Sequence, residues 1–99
     1  MEMFNPYWED EDGFLRFEFL DGNVFAHAEV TSWNKRMYIK CLAMWEEAKS
    51  ELKQLGHNNI YVIIPADNKK LIKFEQTFGF TSLSKYENYL LMVCNITGE

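Results

Sequence analysis

Apolar and polar positions change their period several times along this chain, and each change marks an element. In Phe14-Leu15-Arg16-Phe17-Glu18-Phe19, Arg16 and Glu18 alternate with Phe17 and Phe19, the two-residue period of a strand. Asp21-Gly22-Asn23 is a turn signal. Ala26, Ala28 and Val30 then alternate with Phe25, His27 and Glu29, so residues 24–30 form the returning strand of a hairpin. Thr31-Ser32-Trp33-Asn34 offers N-caps for a helix. Tyr38, Cys41, Leu42, Trp45, Ala48, Leu52 and Leu55 follow at helical spacing, with Glu46, Glu47, Lys49, Glu51 and Lys53 on the wet side. Gly56 ends that helix. Ile60-Tyr61-Val62-Ile63-Ile64 is a continuous apolar run, as expected of a strand covered on both faces, and Pro65 stops it. Asp67 or Asn68 caps a second helix whose Leu71, Phe74 and Phe78 share one face. Phe80 leads into a strand over residues 81–84, Tyr86-Glu87-Asn88 turns, and residues 89–94 are the last strand.

The resulting order, β-β-α-β-α-β-β, predicts an α/β (α+β) domain: a single mixed five-stranded sheet with two helices packed on it. The first helix is a crossover, so residues 24–30 and 60–64 should lie parallel and adjacent. Leu42, Trp45, Leu52, Ile63, Phe74 and Phe78 are expected in the core. Residues 1–13 read as an acidic N-terminal arm, broken at Asn5-Pro6, and residues 14–99 as a single domain. The run Glu9-Asp10-Glu11-Asp12 reads as a solvated loop, because no calcium-loop spacing follows it.

Composition narrows the function. A chain of 99 residues with 47% hydrophobic and 16% aromatic positions is globular, with room for one core of marginal size. A protein partner or homodimerisation would add to that core. The net charge of -5, with scattered Lys and Arg, disfavours a nucleic-acid partner. No apolar run is long enough to span a membrane, and the acidic, aromatic N-terminus is not a signal peptide, so a cytoplasmic protein is expected. Cys41 and Cys94 read as buried free thiols. His27 and His57 have no zinc spacing with them, so no metal is expected.

One stretch carries a family resemblance. Asn68, Leu71-Ile72, Phe74 and Gly79-Phe80, set between a buried-looking strand and a final strand pair, resemble the second-helix motif of the GCN5-related N-acetyltransferases, the GNAT superfamily. The resemblance implies a GNAT-like sheet with strand order first, second, third, fifth, fourth. It also implies acetyl-coenzyme A as cofactor and N-acetyl transfer as reaction. In the family a Tyr on that helix often donates a proton to the coenzyme A thiolate; the matching position here is Glu75, read as solvent-facing. Tyr86 near the last turn is a substitute donor, and His27 and Glu29 are base candidates on a strand that in this fold lines the acceptor cleft. The family's glycine-bearing phosphate loop corresponds to residues 31–37, which contain no glycine. The implied cofactor residues are Val30, Thr31, Asn34, Lys35, Arg36 and Asn68, with a cleft lined by Val30, Thr31, Ile64 and Pro65 and with Lys35 and Arg36 at its mouth. The two departures imply a degenerate acetyl-CoA loop with weak or no cofactor binding, and a protein-binding or regulatory role. An active small N-acetyltransferase with a non-standard loop, and an unrelated α/β interaction module, remain open alternatives. Compact GNAT-like proteins of this kind resemble ones encoded by tailed bacteriophages.

Overall fold

The structure, a computed structural model, describes residues 7–97, so residues 1–6 of the expected arm lie outside the described part. A short strand β1 (Trp8–Asp10) precedes the hairpin β2 (Gly13–Leu20) and β3 (Asn23–Val30). Helix α1 (Lys35–Gln54), β4 (Asn59–Pro65), α2 (Lys69–Thr77), β5 (Thr81–Tyr86) and β6 (Tyr89–Asn95) follow. One mixed sheet runs β1-β2-β3-β4-β6-β5. Leaving β1 aside, this is the order expected for the last five strands.

The sixth strand is a correction to the five expected, and it reassigns the acidic run. β1 pairs antiparallel with β2, and the turn between them is held by the Asp12 amide donating to Asp10 Oδ1 at 2.7 Å. Lys40 on α1 donates to Asp10 at 3.1 Å and to Asp12 at 3.4 Å, and its ammonium lies 5.0 Å from the centre of the Trp8 ring. Two of the four acids therefore fasten the arm to α1 instead of forming a solvated loop. Tyr7 adds to this by donating to Glu47 at 2.9 Å and Glu51 at 2.8 Å. The crossing needs Gly13: its φ is +151°, and a Cβ there would sit 2.0 Å from the Glu29 carbonyl oxygen. A three-residue strand is too short to show a period, which is why the pattern hid it.

The β2–β3 hairpin closes on Asp21 and Gly22, with φ of 52° and 82°, the left-handed pair that a two-residue hairpin loop requires. Asn34 caps α1, and Met37, Trp45, Ala48 and Leu52 are its buried stripe. Both helices pack on the same side of the sheet. Leu15 and Phe17 of β2, Val24 of β3, Ile60, Val62 and Ile64 of β4, and Met92 and Cys94 of β6 all face them. Trp45 ties the helices together. Its indole N–H donates to the Phe78 carbonyl at 2.9 Å, and its ring lies 6.2 Å from Phe17 and 5.6 Å from Phe80.

The other face has no helix. Ile63 is 58% exposed and Tyr61 is half-buried against Phe25, 5.7 Å away. The expectations that residues 60–64 are covered on both faces and that Ile63 is core are therefore overturned. The strand alternates after all, with an apolar side chain on each face. Leu42 and Phe74 are half-buried instead of central, while Trp45, Leu52 and Phe78 are buried as expected. Among the described residues, both cysteines are free thiols, Cys94 buried and Cys41 half-buried.

Candidate functional site

β3 and β4 are parallel neighbours that pair at only two positions, Val24 with Ile60 and Phe25 with Tyr61. Beyond these the strands part. β3 stays paired to β2 up to Val30, and β4 stays paired to β6 up to Pro65. Each strand keeps its outer partner while the two inner edges separate. Backbone donors and acceptors along residues 26–30 and 62–65 are thus left without a ladder across the opening.

The start of α1 and the length of α2 sit over this opening and bound a cleft of about 700 Å³. Ala28, Glu29 and Val30 form its β3 wall, and Trp33, just before α1, and Tyr38 form the wall at the start of α1. Asn68, Lys70, Leu71, Lys73, Phe74 and Thr77 form the α2 wall. Trp33 stands in the cleft, edge-on to Phe74 at 5.3 Å and to Tyr38 at 6.0 Å. Asn34 Oδ1 accepts from the Met37 amide at 2.9 Å, so one of the free amides at the start of α1 already has a partner. Asn68 does the same for Leu71 at 3.0 Å.

Deeper in, Ala28, Val30 and Phe74 are shared with a second space of about 60 Å³ between the helices and the sheet. Its other walls are apolar or sulfur-bearing, from Ala26 and Val62 on the strands to Cys41, Met44 and Trp45 on α1, with one exception. Glu75 projects from α2 into this space. Leu71, Phe74, Glu75 and Phe78 lie at i, i+3, i+4 and i+7, one face of a helix, so Glu75 is on the apolar face. The solvent-facing reading of Glu75 is therefore corrected. Its carboxyl has no hydrogen-bond or ion-pair partner among the described residues. Burial pushes its pKa up from 4.5 to about 7. The side chain is half-buried, and the walls around it are apolar. Burial likewise raises the Cys41 thiol, against the opposing influence of Lys40.

The structure brings only part of the sequence-derived site together. Glu29, Val30 and Asn68 line the outer cleft. Thr31 does not: its hydroxyl donates to the carbonyls of Glu11 at 3.3 Å and Asp12 at 3.1 Å, clipping the arm to the end of β3. Asn34 is spent on capping. Lys35 and Arg36 are exposed in the first turn of α1 and, like Ile64 and Pro65, are not part of the cleft wall. His27 is on the helix-free face, where its Nε2 meets Glu18 at 3.1 Å. Tyr86, 74% exposed, lies at the β5–β6 turn and outside both spaces. Lys70 and Lys73 were not placed in the site by the sequence reading, and Glu75 was placed outside it. Among the described residues no cluster of three or more His, Cys, Asp or Glu could hold a metal, and no helix is long and apolar enough to cross a membrane.

No protein-family model and no curated protein matches the chain. Solved structures do. It is similar to the PaiA N-acetyltransferase from Thermoplasma acidophilum, solved in complex with coenzyme A: TM-score 0.69, 14% identity, 84% of this chain and 52% of that one. It is also similar to the acetyltransferase YncA from Salmonella typhimurium, solved with its cofactor acetyl-CoA: TM-score 0.65, 16% identity, 89% of this chain and 60% of that one. A ribosomal-protein alanine N-acetyltransferase from Escherichia coli matches with TM-score 0.63, 16% identity, 90% of this chain and 65% of that one. The chain thus has the GNAT fold, as the helix motif implied, and spans between about half and two thirds of the length of these structures.

Proposed function

We propose that the protein takes an acyl-coenzyme A-type thioester into the outer cleft between β3 and β4 and acts as a small N-acyltransferase without the glycine-bearing phosphate loop. The observation that carries this reading is the two-position pairing of β3 with β4. Their parted edges offer unpaired backbone groups to a thin, amide-bearing ligand, much as an open sheet edge accepts an added strand. A cleft of about 700 Å³ falls within the usual range for ligand sites. Lys70 and Lys73 on its α2 wall supply positive charge for phosphates in place of a loop. The solved structures with coenzyme A or acetyl-CoA bound support the choice of ligand.

A second reading, a protein-binding or regulatory GNAT-fold protein that no longer uses the cofactor, is favoured by a different observation. Trp33 packs against Phe74 inside the cleft, and residues 31–37 hold no glycine to let a pyrophosphate approach the backbone. Calorimetry with acetyl-CoA decides between the two. A dissociation constant in the low micromolar range, about -8 kcal/mol, supports the acyltransferase reading. No heat at millimolar ligand overturns it in favour of the protein-binding one.

A further inference from the structure

We infer that the inner cavity is a binding site for a small aliphatic ammonium ion, such as a short protonated alkylamine, held by the Glu75 carboxylate. This inference does not rest on the thioester reading, because the site is defined by its own walls and its own acid.

The chemistry of the lining selects the ligand. Six of the described residues around the cavity are aromatic, Trp45 and Phe78 among them, and Glu75 is the only carboxylate among them. Among the described residues no Lys, Arg or His lines it, so none of them neutralises Glu75 when it ionises there. A carboxylate facing apolar walls is costly unless a cation joins it. The complement of one acid in an apolar, ring-lined space is one cation on an apolar body. The ammonium would pair with Glu75, the alkyl part would replace water at the walls, and the rings add attraction for a positive charge. Size sets the upper limit. A space of about 60 Å³ holds a handful of water-sized groups, enough for a short alkyl chain and too little for a peptide segment.

The surrounding charges leave Glu75 to act alone. From α1, Cys41 is the other titratable group on the wall, and burial keeps its thiol neutral near neutrality. Lys40, its neighbour, is engaged by Asp10 and Asp12. From β3, Glu29 borders the outer cleft and not this cavity, as do Lys70 and Lys73 of α2. β2 and β4 contribute Phe14, Leu15 and Val62, which carry no charge. The shift of Glu75 has burial as its sole cause. Binding should therefore strengthen up to tenfold per pH unit as pH rises toward about 7, then level off while the amine stays protonated.

The test uses the full chain without any cofactor. Butylammonium chloride and n-butanol are titrated against wild type and Glu75→Gln at about pH 5.5 and about pH 8, followed by tryptophan fluorescence, since Trp8 and Trp45 line the cavity. The expected result is saturable butylammonium binding that is at least about tenfold tighter at the higher pH. Butanol should bind more weakly with no pH dependence, and Glu75→Gln should lose both the affinity and the pH dependence. Equal binding of butanol, equal binding by a folded Glu75→Gln protein, or no saturation in wild type at about pH 8 would each overturn the inference. Should Glu75→Gln fail to fold, the Glu75 carboxyl is titrated by carbon NMR in wild type. Butylammonium must lower its pKa, and an unchanged titration overturns the inference equally.

Discussion

Replacing Glu75 by glutamine should stabilise the protein, and only above a definite pH. The native carboxyl keeps its proton until about pH 7, whereas in the unfolded chain it gives it up around 4.5. Below 4.5 both states are neutral at this position and the substitution changes little. As pH rises from 4.5 to about 7, the unfolded chain has lost a proton that the native state still binds, so wild-type stability falls across that window. Above it the full cost of an ionised, poorly hydrated carboxylate is present. The displacement corresponds to about 3 kcal/mol as an upper bound. Water entering the cavity would hydrate the ionised group and reduce this to about 1–2 kcal/mol. Glutamine keeps the shape and never ionises, so it escapes the loss. For a domain of this size each kcal/mol moves the melting temperature by roughly 4–8 °C. The variant should therefore melt roughly 10 °C higher at about pH 8.5 and nearly together with wild type at about pH 4. Thermal or urea melts of both proteins across that range are the assay. Because other titrating groups, such as Asp10, are common to both proteins, they cancel in the difference. A difference that stays flat with pH, or a variant less stable than wild type at high pH, would refute the placement of Glu75 against apolar walls.

Three other perturbations check separate parts of the structure. Trp45→Ala removes a buried ring and leaves the Phe78 carbonyl with only the weak Cys94 thiol donor, so it should cost about 3–5 kcal/mol in urea denaturation; near-native resistance would show the ring is not buried. Gly13→Ala forces a Cβ to within 2.0 Å of the Glu29 carbonyl oxygen and should cost at least about 2 kcal/mol, where an exposed turn glycine would cost far less. Lys70→Ala combined with Lys73→Ala should weaken acetyl-CoA binding about tenfold or more and flatten its salt dependence in calorimetry, while unchanged affinity would place the phosphates elsewhere.

Most of the fold was legible because each element carried its own local signal. Asp21-Gly22 marked the hairpin, the polar stretches at residues 31–34 and Asp67-Asn68 marked both helix starts, with Asn34 and Asn68 turning out to be the caps, and the Leu71–Phe74–Phe78 spacing marked α2. What escaped had physical reasons. β1 was too short for a period. The apolar run 60–64 showed that both faces of β4 are hydrophobic, but an apolar side chain does not reveal whether anything covers it, and Ile63 is left exposed. The site was less legible than the fold. Glu75 was read by its charge, although its helical phase put it beside Phe74 and Phe78. Lys35 and Arg36 were preferred as anion ligands for being at a helix start, but Lys70 and Lys73 are the lysines on the cleft wall. Placing them requires knowing how α2 lies over the splay, which no single segment encodes.

The opening and the phosphate grip are separable features of this fold. The opening follows from register: β3 is held by β2 up to Val30 and β4 by β6 up to Pro65, and their divergence after Phe25 and Tyr61 involves no residue between 31 and 37. A phosphate grip, by contrast, needs free amides and close backbone approach at the start of α1. Here Asn34 occupies the Met37 amide, and Trp33 packs against Phe74 in the cleft. The cleft therefore does not depend on the loop chemistry. The two lysines on α2 make the difference between the readings. With them bound to phosphates, the same cleft works without a glycine loop. Without such binding it is an architectural remnant, and function must then reside on another surface.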